Sequence, residues 1–201
     1  MADDHVVSTL SGNGVLEIRL NRPDKHNALN DAMYRTLVDL YRDAAVNDDV
    51  RCVLLTSTGR SYCAGNDIGD FESTNDGQQT PVDDPGDLII YEMVAFEKPV
   101  VAAVQGRAIG FGATMLLHCD LVFMSTTATL TTPFIKLALT PEAGSTRLLP
   151  ERIGHQRAFA MFAFGESLTA SEAVDLGLAY RMVEPEELES AAWTAASPPI
   201  G

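Results

Sequence analysis

Apolar residues along this chain follow two patterns, which together predict alternating strands and helices. Residues 50–57 and 100–104 are mostly apolar without alternation, which is typical of strands buried on both faces of a sheet. Residues 5–20 predict two strands joined by a tight turn, because the Asn-Gly pair at 13–14 supplies the positive φ angles that a hairpin needs. Over 30–47, apolar residues recur at helical spacing behind an Asn or Asp cap.

The rest of the chain continues this alternation. The turn-rich segment 58–71 leads into a short helix, and the polar segment 73–86, rich in Gly, Pro and Asp, predicts a mobile surface loop. Strands that alternate with helices imply an α/β layer architecture. The remaining predicted elements are a helix ending near 96, a turn over 105–112, a helix over 113–118, a strand over 120–125, helices near 145–152, 154–164 and 170–176, a short strand over 179–183 and a last helix from about 186.

Composition and charge exclude several classes of function. The 201 residues, 46% of them hydrophobic, are enough for one domain with a substantial core. A formal net charge of −14 would repel phosphate backbones, so we expect no nucleic-acid partner. Cys52, Cys63 and Cys119 lie far apart without a CxxC pair, which favours reduced thiols over disulfides or a metal site. No stretch of about 18 apolar residues and no signal-peptide pattern occur, so we expect no membrane span and a cytoplasmic location.

Two loops share a pattern that suggests chemistry. "CAGND" at 63–67 and "AIGFGA" at 108–113 each follow a predicted buried strand, consist largely of small residues and lead into a helix. Small residues let a ligand approach the backbone, and the amides at the start of a helix point outward. Two such amides that converge would stabilise the oxygen of a carbonyl as it becomes an enolate. Each loop alone is better explained as a tight strand-to-helix turn.

One carboxylate, Glu142, lies in an apolar context within "KLALTPEAGSTRLLP". A carboxylate in an apolar pocket has a raised pKa, which suits a group that removes a proton and then returns it. The alternative is a surface or helix-capping acid, because acids are favoured just before a helix such as the one predicted from 145. The local sequence leaves both interpretations open.

Four motifs, in order and with their spacing, resemble the enoyl-CoA hydratase/isomerase family, the crotonase superfamily. They are "NRPDKHNALN", "SYCAGNDIGDF", "KPVVAAVQGRAIGFGATMLLHCD" and "LTASEAVDLGL", and the resemblance runs from about residue 6 to 185. It implies a crotonase (ClpP-like) spiral of repeated β-β-α units, with two roughly perpendicular sheets surrounded by helices. It also implies an acyl-CoA thioester as substrate, a stabilised thioester enolate and assembly as a homo-oligomer, either a trimer or a dimer of trimers.

The resemblance assigns roles to individual positions. The oxyanion-hole amides are expected at Ala64 and Phe111, and Phe111 replaces a residue that is commonly glycine. Lys25 and Ala28 are expected along the phosphates and pantetheine of coenzyme A. The full set of expected substrate-binding residues is Lys25, Ala28, Ala64, Gly65, Asn66, Asp67, Ile68, Gly110, Phe134 and Leu137. Coenzyme A belongs to the substrate, so no separate cofactor and no metal are expected.

The catalytic carboxylates distinguish the reactions within the family. Hydratases use two glutamates, and the matching positions here are Thr114 and Phe134, neither of which can act as a carboxylate base. Glu142 matches the position at which peroxisomal-type Δ3,Δ2-enoyl-CoA isomerases have their single catalytic glutamate. The resemblance therefore predicts a shift of a 3-enoyl-CoA double bond to trans-2-enoyl-CoA, with Glu142 as both base and acid.

Two other interpretations stay open from the sequence. One is a different crotonase-type reaction with Glu142 as base, such as a lyase, a residual hydratase or an isomerase of ring-opened or cyclic acyl-CoA. The other is a non-catalytic acyl-CoA-binding protein that kept the fold. We divide the chain into an acyl-CoA-binding core at 1–185 and the start of a C-terminal helical segment at 186–201, which resembles a shortened form of the family's C-terminal region.

Overall fold

The computed structural model describes residues 5–67, 69 and 84–197. The predicted mobile loop at 73–86 therefore lies mostly outside the described residues, as does Ile68. Within the described part, the strands form two sheets. They are β1 (Val6–Leu10), β2 (Val15–Leu20), β3 (Cys52–Ser57), β4 (Val100–Val104), β5 (Arg107–Ile109), β6 (Leu121–Ser125), β7 (Thr129–Thr131), β8 (Ser167–Thr169) and β9 (Arg181–Val183).

The larger sheet has the order β1-β2-β3-β4-β6-β9. The hairpin β1–β2 is antiparallel, as its Asn-Gly turn predicts, and every other neighbour in this sheet is parallel. All residues of β3 and β4 are buried. This explains their unbroken apolar sequence, because helices cover both faces of a parallel sheet.

The smaller sheet has the order β5-β7-β8. None of these three-residue strands was predicted, and β5 lies in a segment predicted as a turn, because so short a strand carries no measurable alternation. The pairs β4–β5 and β6–β7 each place their first strand in the larger sheet and their second in the smaller one, and each is followed by a helix. The expected repetition of β-β-α units is confirmed.

The helices match the predictions in place, with two differences in type. The predicted helix over 113–118 begins at Phe111 as an α-helix and continues as a 3-10 helix, and the predicted helix over 154–164 changes to a π-helix at Ala160. The α-helices are α1 (Asp31–Val46), α2 (Pro85–Ala95), α3 (Phe111–Thr114), α4 (Ser145–Ile153), α5 (His155–Phe159), α6 (Ala170–Asp175) and α7 (Leu188–Ala196). A π-helix spans Ala160–Phe164, and 3-10 helices span Pro23–Lys25, Met115–His118, Phe134–Leu137 and Pro185–Glu187.

The core has two parts, one on each face of the larger sheet. The main cluster includes the buried face of α1, with Met33, Leu37 and Tyr41. On the other face, Leu188 and Ala192 of α7 pack on the sheet, so the start of the expected C-terminal segment forms part of the core. In the described part of the chain, no helix is long and apolar enough to span a membrane.

Candidate active site

One buried amide side chain fastens the loop after β2. The Asn27 side chain is fully buried. Its Nδ2 donates to the carbonyls of Thr58 and Ser61, each at 2.8 Å. Its Oδ1 accepts from the Arg22 amide at 2.8 Å. These bonds fix the loop against the segment that leads into 63–67.

An ion pair adds a second tie between these segments. Arg22 Nη1 donates to Asp67 Oδ2 at 2.6 Å and to the Ala28 carbonyl at 3.0 Å. The hydrogen bond from Arg22 lowers the pKa of the Asp67 carboxyl, which also accepts from the Gly69 amide at 3.0 Å. Lys25 is exposed and Ala28 half-buried, and neither is among the described residues that line the cavity. Their place along coenzyme A stays a prediction.

The loop at 63–67 is paired with backbone on both sides. Cys63 pairs with β5 through two hydrogen bonds of 2.9 and 3.1 Å. On its other side, Leu29 pairs with Gly65 and Asp67 through two bonds of 2.8 Å. Gly65 has a φ of 85°, and a Cβ there would lie 2.8 Å from the last carbonyl of β5. Only glycine fits this close approach.

The prediction that the Ala64 amide is an oxyanion-hole donor is wrong in this structure. Its N–H donates to the His26 carbonyl at 3.0 Å, so it has no hydrogen left for a ligand. The amides of Cys63 and Asp67 are occupied as well, whereas the Asn66 N–H donates to none of the described residues. Asn66 therefore offers the available amide of this loop. The sequence could not show this, because it depends on the register with the loop after β2.

The second loop turns sharply at Gly110. Its φ of 56° and ψ of −123° are accessible essentially to glycine alone, and its amide donates to the Thr131 carbonyl at 2.9 Å. The next amide, that of Phe111, begins α3 and donates to none of the described residues. A Cβ on Gly112 would lie 2.5 Å from the Cys63 carbonyl, so glycine is needed where the two loops cross.

The two free amides belong to neighbouring peptides. A Cβ built on Gly65 would lie 3.6 Å from the Phe111 nitrogen, and both Asn66 and Phe111 line the same cavity. Backbone amides held in this way need no rearrangement when they bind a developing oxyanion. We therefore assign the candidate oxyanion hole to Asn66 and Phe111.

Glu142 lines the same cavity as the loop at 63–67 and lies beside α3. Thr114, one turn after Phe111, donates from its Oγ1 to Glu142 Oε1 at 2.6 Å. Burial raises the pKa of the Glu142 carboxyl, and the bond from Thr114 offsets part of that rise. The carboxylate is not the cap of α4, because Gly144 holds the capping position without a side-chain bond. The capping interpretation of Glu142 is thus wrong.

The Glu142 segment is held at its backbone. The Glu142 carbonyl accepts from the amide and the hydroxyl of Ser145, at 2.9 and 2.6 Å. Ala143 has a φ of 53°, which costs a non-glycine residue about 1 kcal/mol. His118 Nε2 lies 2.9 Å from the Ala143 carbonyl, and burial lowers the pKa of this imidazole. A neutral His118 can donate this bond and hold the residue next to the acid.

A cavity of about 580 Å³ joins these groups. Phe134 is buried in its wall, whereas Leu137 is half exposed at its edge. Its charged lining is mostly acidic, with Lys136 as the cation among the described residues. The lining consists of Leu29, Asp31, Tyr34, Ala64, Gly65, Asn66, Asp67, Asp84, Gly86, Asp87, Ile90, Ile109, Gly110, Phe111, Pro133, Phe134, Lys136, Leu137, Leu139, Thr140 and Glu142.

The cavity includes residues that the sequence analysis did not single out. Tyr34 of α1 donates a hydrogen bond from its hydroxyl to Asn66 Oδ1. Asp84 caps α2 by accepting from the Gly86 amide at 2.7 Å, and burial raises the pKa of the neighbouring Asp87. The long gap in sequence between α1 and 63–67 hides the Tyr34 contact. A tyrosine on the apolar face of a helix was the available clue.

The cysteines serve packing. All three are free and buried, and burial raises the pKa of Cys52 to about 11 and of Cys63 and Cys119 to about 12. They are thiols near neutral pH and are poor nucleophiles. Across the described ranges, no group of three or more His, Cys, Asp or Glu side chains is placed to hold a metal ion.

Comparison with known proteins identifies the class. The sequence profile of the enoyl-CoA hydratase/isomerase family matches residues 11–198. The 1,2-epoxyphenylacetyl-CoA isomerase of Escherichia coli is 35% identical over 186 residues, which cover 89% of this chain and 70% of that protein. Enoyl-CoA delta isomerase 2 of Rattus norvegicus is 36% identical over 92% of this chain, and the match spans 48% of that longer protein.

A solved structure agrees with the sequence comparison. The enoyl-CoA hydratase/isomerase of Pseudoalteromonas atlantica superposes with a TM-score of 0.91 at 36% identity, covering 96% of this chain and 76% of that one. The fold and the site thus define a crotonase-type protein. This chain belongs to the enoyl-CoA hydratase/isomerase family, and acyl-CoA thioesters are the substrates that the family implies.

Proposed function

We propose that this protein is a Δ3,Δ2-enoyl-CoA isomerase that uses Glu142 as its single acid/base group. The observation that carries the proposal is the position of the Glu142 carboxylate beside α3, while Thr114 and Phe134 stand where the resemblance places the two hydratase glutamates. Isomerisation needs one proton-transferring group, whereas addition of water needs a second one to activate the water. The relative named enoyl-CoA delta isomerase 2 supports the same choice.

The reaction proceeds through an enolate of the thioester. The thioester oxygen accepts hydrogen bonds from the Asn66 and Phe111 amides, and this increases the acidity of the C2 protons. Glu142 takes one of these protons, the C2–H bond breaks and a dienolate forms over C1 to C4. The same carboxylic acid then gives a proton to C4, and the double bond settles between C2 and C3. Atoms balance without a co-reactant.

The raised pKa of Glu142 suits this double role. A carboxylate with an ordinary pKa is a weak base, and near neutral pH its acid form is too scarcely populated to deliver protons well. A raised pKa improves both properties. Burial weakens the preference for the charged form, whereas the Thr114 hydroxyl keeps the carboxylate oriented. We expect general acid–base catalysis at Glu142 to contribute about 10²–10⁴ in rate.

The test compares two substrates. Purified protein is incubated with 3-hexenoyl-CoA and, separately, with crotonyl-CoA, and the products are separated by liquid chromatography. The proposal expects trans-2-hexenoyl-CoA from the first and no 3-hydroxybutyryl-CoA from the second. Hydration of crotonyl-CoA would favour a hydratase with a second cavity acid, for which Asp87 is the candidate because burial raises its pKa. Binding of both esters without turnover would favour the non-catalytic acyl-CoA binder.

Assembly and location belong to the same proposal. The resemblance implies a homo-oligomer, either a trimer or a dimer of trimers, with coenzyme A entering only as part of the substrate, and we propose a cytoplasmic location. Light scattering tests the assembly directly. The proposal expects a multiple of the 21.7 kDa chain mass, and a monodisperse 21.7 kDa species would contradict it.

A further inference from the structure

Tyr34 lies in the cavity but supplies neither an amide nor a proton-transferring group to the proposed reaction. It stands in the first turn of α1, whose cap Asn30 accepts from the Met33 amide at 2.9 Å. The side chain is 6% exposed, although it forms part of the cavity wall. A buried tyrosine hydroxyl normally has a hydrogen-bond partner, so the partner that Tyr34 uses is informative.

That partner belongs to the residue with the free amide. The Tyr34 hydroxyl donates to Asn66 Oδ1. The Tyr34 ring also meets the Phe111 ring edge-on, with centroids 5.5 Å apart and an interplanar angle of 66°. One rigid side chain on a long helix therefore contacts both residues of the candidate oxyanion hole.

The electrostatic surroundings keep this hydroxyl a donor. Burial raises the pKa of Tyr34 well above its ordinary value, and the neighbouring groups Cys63, Glu142, Asp84 and Asp31 raise it further. Tyr34 is thus protonated near neutral pH and can donate. With its proton directed to Oδ1, the Asn66 side chain has a fixed orientation.

We propose that Tyr34 is a positioning residue that holds the Asn66 and Phe111 peptides at the separation needed to bind the thioester oxygen. Leu29 bonds the backbone on both sides of Asn66, whereas the exposed Asn66 side chain is restrained, among the described residues, by its bond from Tyr34. The inference rests on the part of the proposed function in which an acyl-CoA thioester binds the amide pair. It does not depend on which reaction follows.

Tyr34→Phe is the informative variant, because it keeps the ring contact with Phe111 and deletes the donor. Tyr41→Phe is a matched control on the same helix. Tyr41 is also buried and meets Phe96 edge-on at 5.1 Å, but its hydroxyl has no partner among the described residues. Both variants lose one buried hydroxyl, and only the first loses a hydrogen bond to the site.

The direct readout is the infrared carbonyl stretch of bound hexanoyl-CoA labelled with ¹³C at C1. Hydrogen bonds from the amides polarise this carbonyl and lower its frequency. We expect the shift on binding to be smaller in Tyr34→Phe than in the wild type, and unchanged in Tyr41→Phe. With 3-hexenoyl-CoA as substrate, kcat of Tyr34→Phe should be about five- to tenfold below that of the wild type, and KM should stay within about twofold. This is expected for the loss of one hydrogen bond that matters most in the transition state.

A double-mutant cycle tests the route of the effect. If Tyr34 acts through the Asn66 side chain, Asn66→Ala should reproduce the loss, and Tyr34→Phe should add little to it. An unchanged carbonyl shift in Tyr34→Phe, or fully additive losses, would overturn the inference. Failure of hexanoyl-CoA to bind the wild type would overturn both it and the proposed function. Normal binding and shift without isomerase activity would overturn only the proposed reaction.

Discussion

The two walls of the cavity are built by different means. The amide wall, formed by 63–67 and 108–113, is set by backbone hydrogen bonds and by glycines at points where a Cβ would collide. The acid wall, formed by 134–144, contains two alanines in left-handed backbone conformation, and Ile135, Leu137 and Leu139 are exposed. The amide wall is therefore fixed by chain geometry, whereas the acid wall also needs the side chains of Thr114, His118 and Ser145 to hold it.

This difference indicates which wall determines the reaction that follows enolate formation. Backbone amides stabilise any thioester enolate, because every residue supplies the same N–H group. The fate of that enolate depends on which side chain can move a proton, and at the acid wall that is Glu142. Changes at the amide wall should damage the fold and the site together. Changes at the acid wall should alter catalysis and leave the fold intact.

The largest effect should come from Glu142→Gln. Turnover of 3-hexenoyl-CoA should fall by about 10²–10⁴, because the group that moves both protons is lost. Binding of hexanoyl-CoA by calorimetry should stay within about twofold of wild type. Exposed Glu166 provides the control, since Glu166→Gln should leave turnover unchanged. Wild-type turnover by Glu142→Gln would remove this carboxylate from the mechanism.

The same variant should also change stability in a definite direction. The folded-state pKa of Glu142 lies above its ordinary value of 4.5, so protonation favours the folded state. The stability contributed by this group is fully present below about pH 4.5 and is lost as pH rises through the folded-state pKa. At neutral pH, Glu142→Gln should therefore unfold at an equal or higher urea concentration than wild type. A clear decrease would show that the ionised carboxylate stabilises the fold.

Gly112→Ala should break the amide wall. The added Cβ would lie 2.5 Å from the Cys63 carbonyl, so the two loops must separate. We expect a loss of about 1–3 kcal/mol in the free energy of unfolding from overpacking, and a loss of about 10² in turnover as an oxyanion donor moves away. Gly12→Ala meets no atom within 4 Å and is the control for thermal melts and assays. Equal melting temperatures for the two variants would contradict the close crossing.

Thr114→Val should have a moderate effect at the acid wall. Without the hydroxyl, the pKa of Glu142 should rise further, because the hydrogen bond from Thr114 lowers it. The acidic limb of the kcat/KM profile should move to higher pH, and kcat should fall about tenfold as one charge-assisted hydrogen bond is lost. Thr132→Val is the matched control for Thr114→Val and should leave the pH profile unchanged. The Thr132 hydroxyl is also buried, but it has no partner in the described part of the chain. A pH profile that does not move would refute this role.

Asp67→Asn should have the smallest effect. The variant weakens the ion pair with Arg22 and should cost about 1 kcal/mol of stability, with turnover within about threefold. The pKa of Asp67 is below its ordinary value of 3.8, so its stabilising effect is present above pH 3.8 and is lost as pH falls through the folded-state value. The difference in unfolding free energy between wild type and variant should thus vanish in acid. Asp24→Asn, at an exposed position, is the control and should leave the free energy of unfolding at neutral pH unchanged.

Much of the fold could be predicted because its elements carry strong local patterns. The unbroken apolar strands β3 and β4 and the capped helix α1 are in this class, and the structure confirms them. The strands β5, β7 and β8 could not be predicted, since three residues carry too little periodicity. A second sheet was expected only because the four motifs resemble a family that has one.

The sequence predicted which loops form the site, but not which of their atoms take part in it. Glu142, Phe111 and the loop at 63–67 do meet in one cavity. The choice between Ala64 and Asn66 depended on which amide the His26 carbonyl occupies, and this is a property of register between distant segments. Tyr34 was missed for the same reason, because its partner Asn66 is 32 residues away in sequence.

The most direct test of the single acid/base group follows the proton itself. The enzyme is mixed in single-turnover amounts with 3-hexenoyl-CoA carrying deuterium at both C2 positions, and the product is read by deuterium NMR at the shortest reaction times. If Glu142 removes the C2 deuteron and returns it, part of the label must appear at C4. A product with no deuterium at C4, while the recovered substrate keeps both C2 deuterons, would contradict the account, because an acid that exchanged with solvent before delivery would also return solvent hydrogen to C2.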